Sequence, residues 1–99
     1  MVTTRTPLVM AHTTREYVHI PVNGSPDLTT PPDLAFLPTQ GNPDEDDWHQ
    51  ATWHEGSARL RVGPEGDVTD LDEGRYRIWI RFTAGPERPV INAGLLILT

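Results

Sequence analysis

The chain has 99 residues, a formal net charge of −6 and no cysteine. Its length predicts a single domain, and the lack of cysteine excludes disulfides, thiolate metal sites and cysteine nucleophiles. The acidic balance argues against nucleic acid as a direct partner, and no apolar run is long enough for a transmembrane helix, so we expect a soluble protein without membrane contact.

The N-terminal segment, residues 1–14, has no strand or helix periodicity and contains a short apolar patch. One interpretation is a frayed tail. The other is an extended arm that orders on a neighbouring subunit, and in that case Leu8, Val9 and Met10 are candidate partner contacts. We expect residues 1–14 to form this arm and residues 15–99 to form the folded domain.

Two strands are predicted in the first part of the domain. Residues 15–22 alternate apolar and polar side chains, which is the period of a half-buried strand. Pro21 cannot donate to a β-ladder, so this segment is an edge strand or a strand end. Residues 33–37 are expected to form a short strand that buries Leu34 and Phe36.

The acidic residues 44–47 are predicted to form a solvated loop. Their spacing is not that of a calcium-binding EF-hand loop. His49 and His54 stand nearby, but their separation puts them on opposite faces of a strand. We therefore expect no bound metal.

Two further strands follow this loop. Residues 48–54 are predicted to form one strand, in which Trp48 and Trp53 have opposite parity. One of these tryptophans is then expected in the core and the other at the surface. Residues 57–62 alternate apolar residues with arginines and predict a second half-buried strand.

The clearest pattern lies in residues 75–83, where apolar side chains occupy one parity and mostly arginines occupy the other. This predicts a strand with one apolar and one cationic face. The last strand, within residues 89–98, ends in a run that is apolar at both parities. Such a strand is expected to be covered on both faces, by its own domain and, as one option, by another subunit.

About seven short strands with frequent turns and no helix predict an all-β fold, an immunoglobulin-like antiparallel β-sandwich. Tyr76 follows the turn at Gly74 and begins a core strand. This placement resembles the tyrosine corner of immunoglobulin-like folds, in which the hydroxyl bonds back to the preceding connection. An ordinary buried tyrosine is the alternative.

No residue pattern predicts catalysis. Ser25 and Ser57 do not lie in nucleophile-elbow sequences, and the histidines lack an evident acid or nucleophile partner. We therefore expect a protein that is not an enzyme and has no cofactor.

Several strand positions predicted to face outward carry arginine. They could form a basic face around Trp79 if their strands are neighbours. Because arginine and tryptophan are enriched at binding hot spots, Trp79, Arg77 and Arg81 are candidate contacts to a protein partner. A simply solvated face is the alternative. The outward arginines are Arg59, Arg61, Arg75, Arg77 and Arg81.

An ordered set of segments resembles small structural proteins encoded among the head and neck genes of tailed phages and prophages of actinobacterial hosts. The element from Gly74 to Ile80 is also similar to the immunoglobulin-like N-terminal domain of phage baseplate upper proteins. The segments that carry the resemblance are residues 17–22, 34–38, 48–53, 58–64, 71–80 and 86–94.

The resemblance implies a non-enzymatic virion protein that is assembled in the bacterial cytoplasm. It would dock on the capsid surface, as a decoration or minor capsid protein, or at the head–tail junction. Its partners would be the major capsid protein or neck proteins, with self-association as an option. The alternative function is a carbohydrate- or host-surface-binding module of a tail or fibre, in which Tyr17, Trp48 or Trp53 stacks on sugar rings.

Overall fold

The computed structural model of the protein describes residues 8–38, 41–69 and 71–99. These residues contain eight β-strands and one short 3-10 helix. No helix in this part of the chain has the length and apolar character needed to cross a bilayer. The elements are β1 (Leu8–Met10), β2 (Glu16–Pro21), β3 (Asp33–Leu37), η1 (Glu45–Asp47), β4 (His49–Gln50), β5 (Thr52–His54), β6 (Ser57–Val62), β7 (Gly74–Arg81) and β8 (Val90–Leu98).

The strands form two sheets. The larger has five strands in the order β1-β8-β7-β3-β4, and the smaller has three in the order β2-β6-β5. The pairing of β1 with β8 is parallel, whereas the other pairings within the two sheets are antiparallel. The buried apolar side chains of both sheets form one hydrophobic cluster. The all-β sandwich predicted from the sequence is therefore confirmed.

Alternating side chains build the core, as the sequence predicts. Ile78 and Ile80 of β7 are fully buried, and Leu60 of β6 is almost fully buried in the opposite sheet. The residues that alternate with these side chains along each strand face outward, because successive side chains of a strand point to opposite sides. The prediction that β2 lies at a sheet edge is also confirmed, since it pairs with β6 alone among the described strands.

The single strand predicted for residues 48–54 is wrong. This segment is two short strands, and β4 belongs to the larger sheet while β5 belongs to the smaller one. The chain crosses between the sheets at Ala51, which is buried and donates its backbone N–H to the carbonyl of Pro32 at 2.8 Å. This crossing lets Trp53 pack against the core although Trp48 does not, in agreement with the different environments expected for the two tryptophans.

The N-terminal segment enters the sandwich earlier than the sequence analysis expects. Strand β1 pairs with the end of β8, with Leu8 opposite Leu96 and Met10 opposite Leu98. Met10 belongs to the hydrophobic core and Leu8 packs against it. Residues 8–10 are therefore part of the domain, because their apolar side chains complete its core. The rest of the predicted arm, residues 1–7, lies outside the described residues.

The connection from β6 to β7 begins with a loop held against the end of β6. Val68 is buried and makes one parallel bridge to Val62. The backbone N–H groups of Asp67 and Val68 both bond to the carbonyl of Arg61, so the loop folds back on the end of β6.

Candidate docking surface

The outer face of the larger sheet carries apolar and cationic side chains side by side. Leu95 and Ile97 of β8 are half-buried on this face, between buried neighbours that point into the core. Arg77 is paired with Leu95 and Arg75 with Ile97, while Val9 of β1 lies on the other side of Ile97. We call this surface the docking face; its residues are Val9, Arg75, Arg77, Trp79, Leu95 and Ile97.

Two arginines of the docking face have no acidic partner among the described residues. Neither Arg75 nor Arg77 makes an ion pair with any residue of the described chain. Beside them, Gly41, Trp79 and Asn92 line a shallow cavity of about 210 Å³ together with Arg77. The indole Nε1 of Trp79 is buried and has no hydrogen-bond acceptor among the described residues. The face thus combines a large aromatic side chain with unpaired cations.

The three candidate partner contacts near the N-terminus do not all lie on the docking face. Val9 is 64% exposed and lies on the docking face, whereas Leu8 and Met10 point to the core. Alternation along β1 explains the difference, because only the middle residue of the three faces outward. Leu95 and Ile97 were not among the candidate contacts, although the apolar character of β8 at both parities was the signal that could have identified them.

Arg81 does not contribute a free charge to the docking face. Its guanidinium bonds to the Asp33 carboxylate at 2.9 and 3.1 Å and to Glu45 at 3.2 Å, and it lies 4.6 Å from the ring centroid of Trp48. Burial lowers the pKa of Arg81, but its hydrogen bonds to the two carboxylates outweigh burial and raise the pKa overall. With only 13% of its side chain exposed, Arg81 is an internal anchor.

The single basic face considered from the sequence does not exist. Arg59 and Arg61 lie on β6 in the smaller sheet, whereas Arg75 and Arg77 lie on β7 in the larger one. The condition that their strands be neighbours is not met. The outward arginines are therefore divided between opposite sides of the sandwich.

Side chains of the acidic segment, residues 44–47, make contacts within the domain. Asp47 accepts a hydrogen bond from the backbone N–H of Asp44 at 2.7 Å and closes a capping box on η1, while Glu45 pairs with Arg81. In residues 8–38, 41–69 and 71–99, no three His, Asp or Glu side chains form a group that could hold a metal ion.

The aromatic side chains considered for sugar stacking are largely engaged by neighbours. Trp53 donates its indole N–H to the carbonyl of Thr30 at 2.9 Å and packs edge-on against Phe82. Arg81 covers one face of Trp48. Tyr17 is 46% exposed, but the guanidinium of Arg59 lies 4.3 Å from its ring centroid. These rings do not form a common platform, because they lie on different parts of the sandwich.

No model of a protein family matches the chain, and no curated protein or solved structure is significantly similar to it. Function is therefore inferred from the geometry of the surface and from the resemblance described above.

Proposed function

We propose that this chain is a non-enzymatic structural protein of a phage virion that docks on its partner through the docking face. The site of docking is the capsid surface, as for a decoration or minor capsid protein, or the head–tail junction. The virion context rests on the resemblance of the sequence segments. The docking role is supported by one observation, the apolar stripe of Val9, Leu95 and Ile97 beside two arginines that form no ion pair with any described residue.

The composition of the docking face suits a protein partner. Burial of apolar surface contributes roughly 25 cal/mol per Å² removed from water, and tryptophan and arginine dominate the energetics of many interfaces. Here Arg77 lies opposite Leu95 of the apolar stripe and lines the cavity together with Trp79. Because β8 already pairs with β1 and β7, partners would contact side chains of this face instead of extending the sheet there.

The charges indicate a partner of different sequence. A contact between two copies through the same face would be isologous and would put the arginines of both copies in one interface, where the docking face itself offers no carboxylate. The net charge of −6 adds repulsion between copies. A partner with apolar side chains at the centre and carboxylates at the rim would instead complement the face. The major capsid protein or a neck protein is the proposed occupant.

The same proposal includes an immunoglobulin-like sandwich. The order β3-β7-β8 in one sheet and β2-β6-β5 in the other corresponds to the C-F-G and B-E-D orders of immunoglobulin domains. The hydroxyl of Tyr76, near the start of β7, donates a hydrogen bond to the carbonyl of Asp72. Both features support this topology, which presents the outer face of the β3-β7-β8 sheet as a rigid platform.

Immunogold labelling of particles produced by the genome that encodes the chain tests the virion context. Label over the head shell would indicate decoration, and label at one vertex would indicate the head–tail junction. Particles without label would contradict the proposal.

Rebinding to particles that lack the chain tests the docking face. Arg77→Glu should weaken binding about tenfold or more, as expected for a contact worth at least about 1.4 kcal/mol. Arg15→Glu is the matched control, because Arg15 is an exposed arginine outside the docking face. Equal losses for both variants, or none for Arg77→Glu, would show that another surface binds the particle.

A further inference from the structure

The outer face of the smaller sheet carries a second cluster, separate from the docking face. Tyr17 and His19 project from β2, Arg59 from β6 and His54 from β5, and His19 is paired in register with Arg59. We call these four residues the histidine–arginine cluster. Three strands thus bring one permanent cation and two titratable rings onto one surface of an acidic protein.

Arg59 is held in place without a counter-charge. Its guanidinium carbon lies 4.3 Å from the ring centroid of Tyr17, within the range of a cation–π contact. No described residue forms an ion pair with Arg59, and its buried Nε has no acceptor. The neighbouring Arg61 differs, because Asp67 lies 3.6 Å from it. An arginine already fixed by an aromatic ring loses less side-chain freedom when it binds a ligand.

His19 lies opposite Arg59 in the ladder, and the two histidines lie close to each other. The ring centroids of His19 and His54 are 6.3 Å apart, and those of Tyr17 and His19 are 5.9 Å apart. Burial lowers the pKa of His19 first, and the charges of Arg59 and His54 lower it further. Without a ligand, His19 therefore takes up a proton less readily than an unperturbed histidine.

The other charged groups near these rings are few. Glu55, in the turn after β5, lies 3.7 Å from the His54 ring and is itself largely exposed. Arg61, paired with Tyr17 in the ladder, is engaged by Asp67. The other outward residues at these positions of the two ladders are Pro21, Ser57 and Thr52, which carry no charge. A ligand that binds the cluster would thus meet mainly cationic groups.

We propose that the histidine–arginine cluster binds a tetrahedral oxyanion, a sulfate or phosphate group, between Arg59 and the rings of His19 and His54. The four oxygens of such a group can accept hydrogen bonds from side chains on three strands at once. A carboxylate has only two oxygens in one plane and suits a single bidentate arginine better.

Binding of the oxyanion is coupled to protonation. A divalent anion favours the charged form of a neighbouring histidine, so its binding is accompanied by proton uptake. The affinity consequently rises as the pH falls through the range in which the histidines protonate.

Proton NMR of the histidine Hε1 signals tests the site, with inorganic sulfate as the probe because sulfate stays divalent over this pH range. We expect saturable shifts of the His19 and His54 signals, a His19 titration displaced to higher pH by sulfate, and binding severalfold tighter at pH 5.5 than at pH 8. A second series uses methyl phosphate as the probe. A site for a phosphate group carried by a larger molecule tolerates the methyl ester, whereas a site for the free ion does not, so this series distinguishes the two sources.

Two variants distinguish a specific binding site from a general attraction of sulfate to cationic side chains. Arg59→Gln should abolish the sulfate-induced shifts, and Arg75→Gln on the opposite sheet should leave them unchanged. Shifts that do not saturate, that are equal in both variants, or that are independent of pH would overturn the proposal. Because neither arginine is part of the hydrophobic core, the intact fold of each variant can be verified from its remaining NMR signals.

Discussion

The hydroxyl of Tyr76 donates a hydrogen bond of 2.8 Å to the backbone carbonyl of Asp72, four residues earlier in the chain. The ring is buried in the core, so the bond ties the connection before β7 to the interior of the sandwich. The position of Tyr76 in the sequence predicts this bond from its hydroxyl to the preceding connection, and the structure confirms it. Gly74, which begins β7 two residues before Tyr76, has a φ of 150°, a conformation that residues with a side chain rarely adopt.

Tyr76→Phe should lower the free energy of unfolding by about 1–2 kcal/mol, because the Asp72 carbonyl loses its donor while the ring stays buried. Urea unfolding monitored by tryptophan fluorescence measures this change. Tyr17→Phe is the control, since the Tyr17 ring lies on the outer face and belongs to no core cluster. Equal stability of Tyr76→Phe and the unchanged protein would mean that this hydrogen bond makes no net contribution to the free energy of unfolding.

Met10→Ala and Val9→Ala test whether β1 belongs to the domain. Met10 is 8% exposed and packs in the core, whereas Val9 faces outward. Truncation of Met10 should cost about 2 kcal/mol or more, and truncation of Val9 should change stability by less than about 0.5 kcal/mol. Thermal unfolding followed by circular dichroism measures both. If both variants melt like the original protein, β1 does not contribute to the folded domain in solution.

The pair Arg81→Gln and Arg61→Gln compares a partly buried ion pair with an exposed one. Arg81 and Asp33 have side chains that are 13% and 14% exposed, while Arg61 and Asp67 are 40% and 46% exposed. Loss of Arg81 leaves the Asp33 carboxylate with only the more exposed Arg88, so we expect a loss of about 2 kcal/mol. Loss of Arg61 should cost less than about 0.5 kcal/mol in the same urea titration. Similar costs for both variants would contradict a special role for Arg81.

Asp27 should make stability depend on pH in the acid range. Hydrogen bonds from the hydroxyl and backbone N–H of Thr29, and from the hydroxyl of Thr30, lower the pKa of Asp27 below its ordinary value of 3.8. A carboxyl with a lowered pKa in the folded state stabilises the protein above its unfolded pKa, and this contribution disappears as the pH falls through the folded pKa. Asp27→Asn should therefore be less stable at pH 6, and the difference should close below pH 3.8.

Urea unfolding at a series of pH values between about 2.5 and 6 measures this effect. Asp46→Asn is the matched control, because Asp46 is exposed on η1 and makes no ion pair within the described chain. A difference between Asp27→Asn and the original protein that stays constant across the series would contradict the proposed linkage.

Local pattern identifies the strands and their faces in this sequence. The alternation around Ile78 and Ile80 predicts which side chains are buried, because the two-residue period of a strand is a property of its own backbone. Turn residues such as Gly56, with φ of 82°, mark where strands end for the same local reason. The all-β class and the edge position of β2 therefore follow from the sequence alone.

Only the tertiary structure decided which strands are neighbours. The separation of Arg59 from Arg77, the division of residues 48–54 between two sheets, and the pairing of β1 with β8 all depend on contacts between distant parts of the chain. Such pairings are selected by how two apolar faces pack together, and local periodicity carries no information about the partner strand. For the same reason, the sequence shows that Val9, Leu95 and Ile97 are apolar, but only the folded sheet shows that they lie together on one exposed surface.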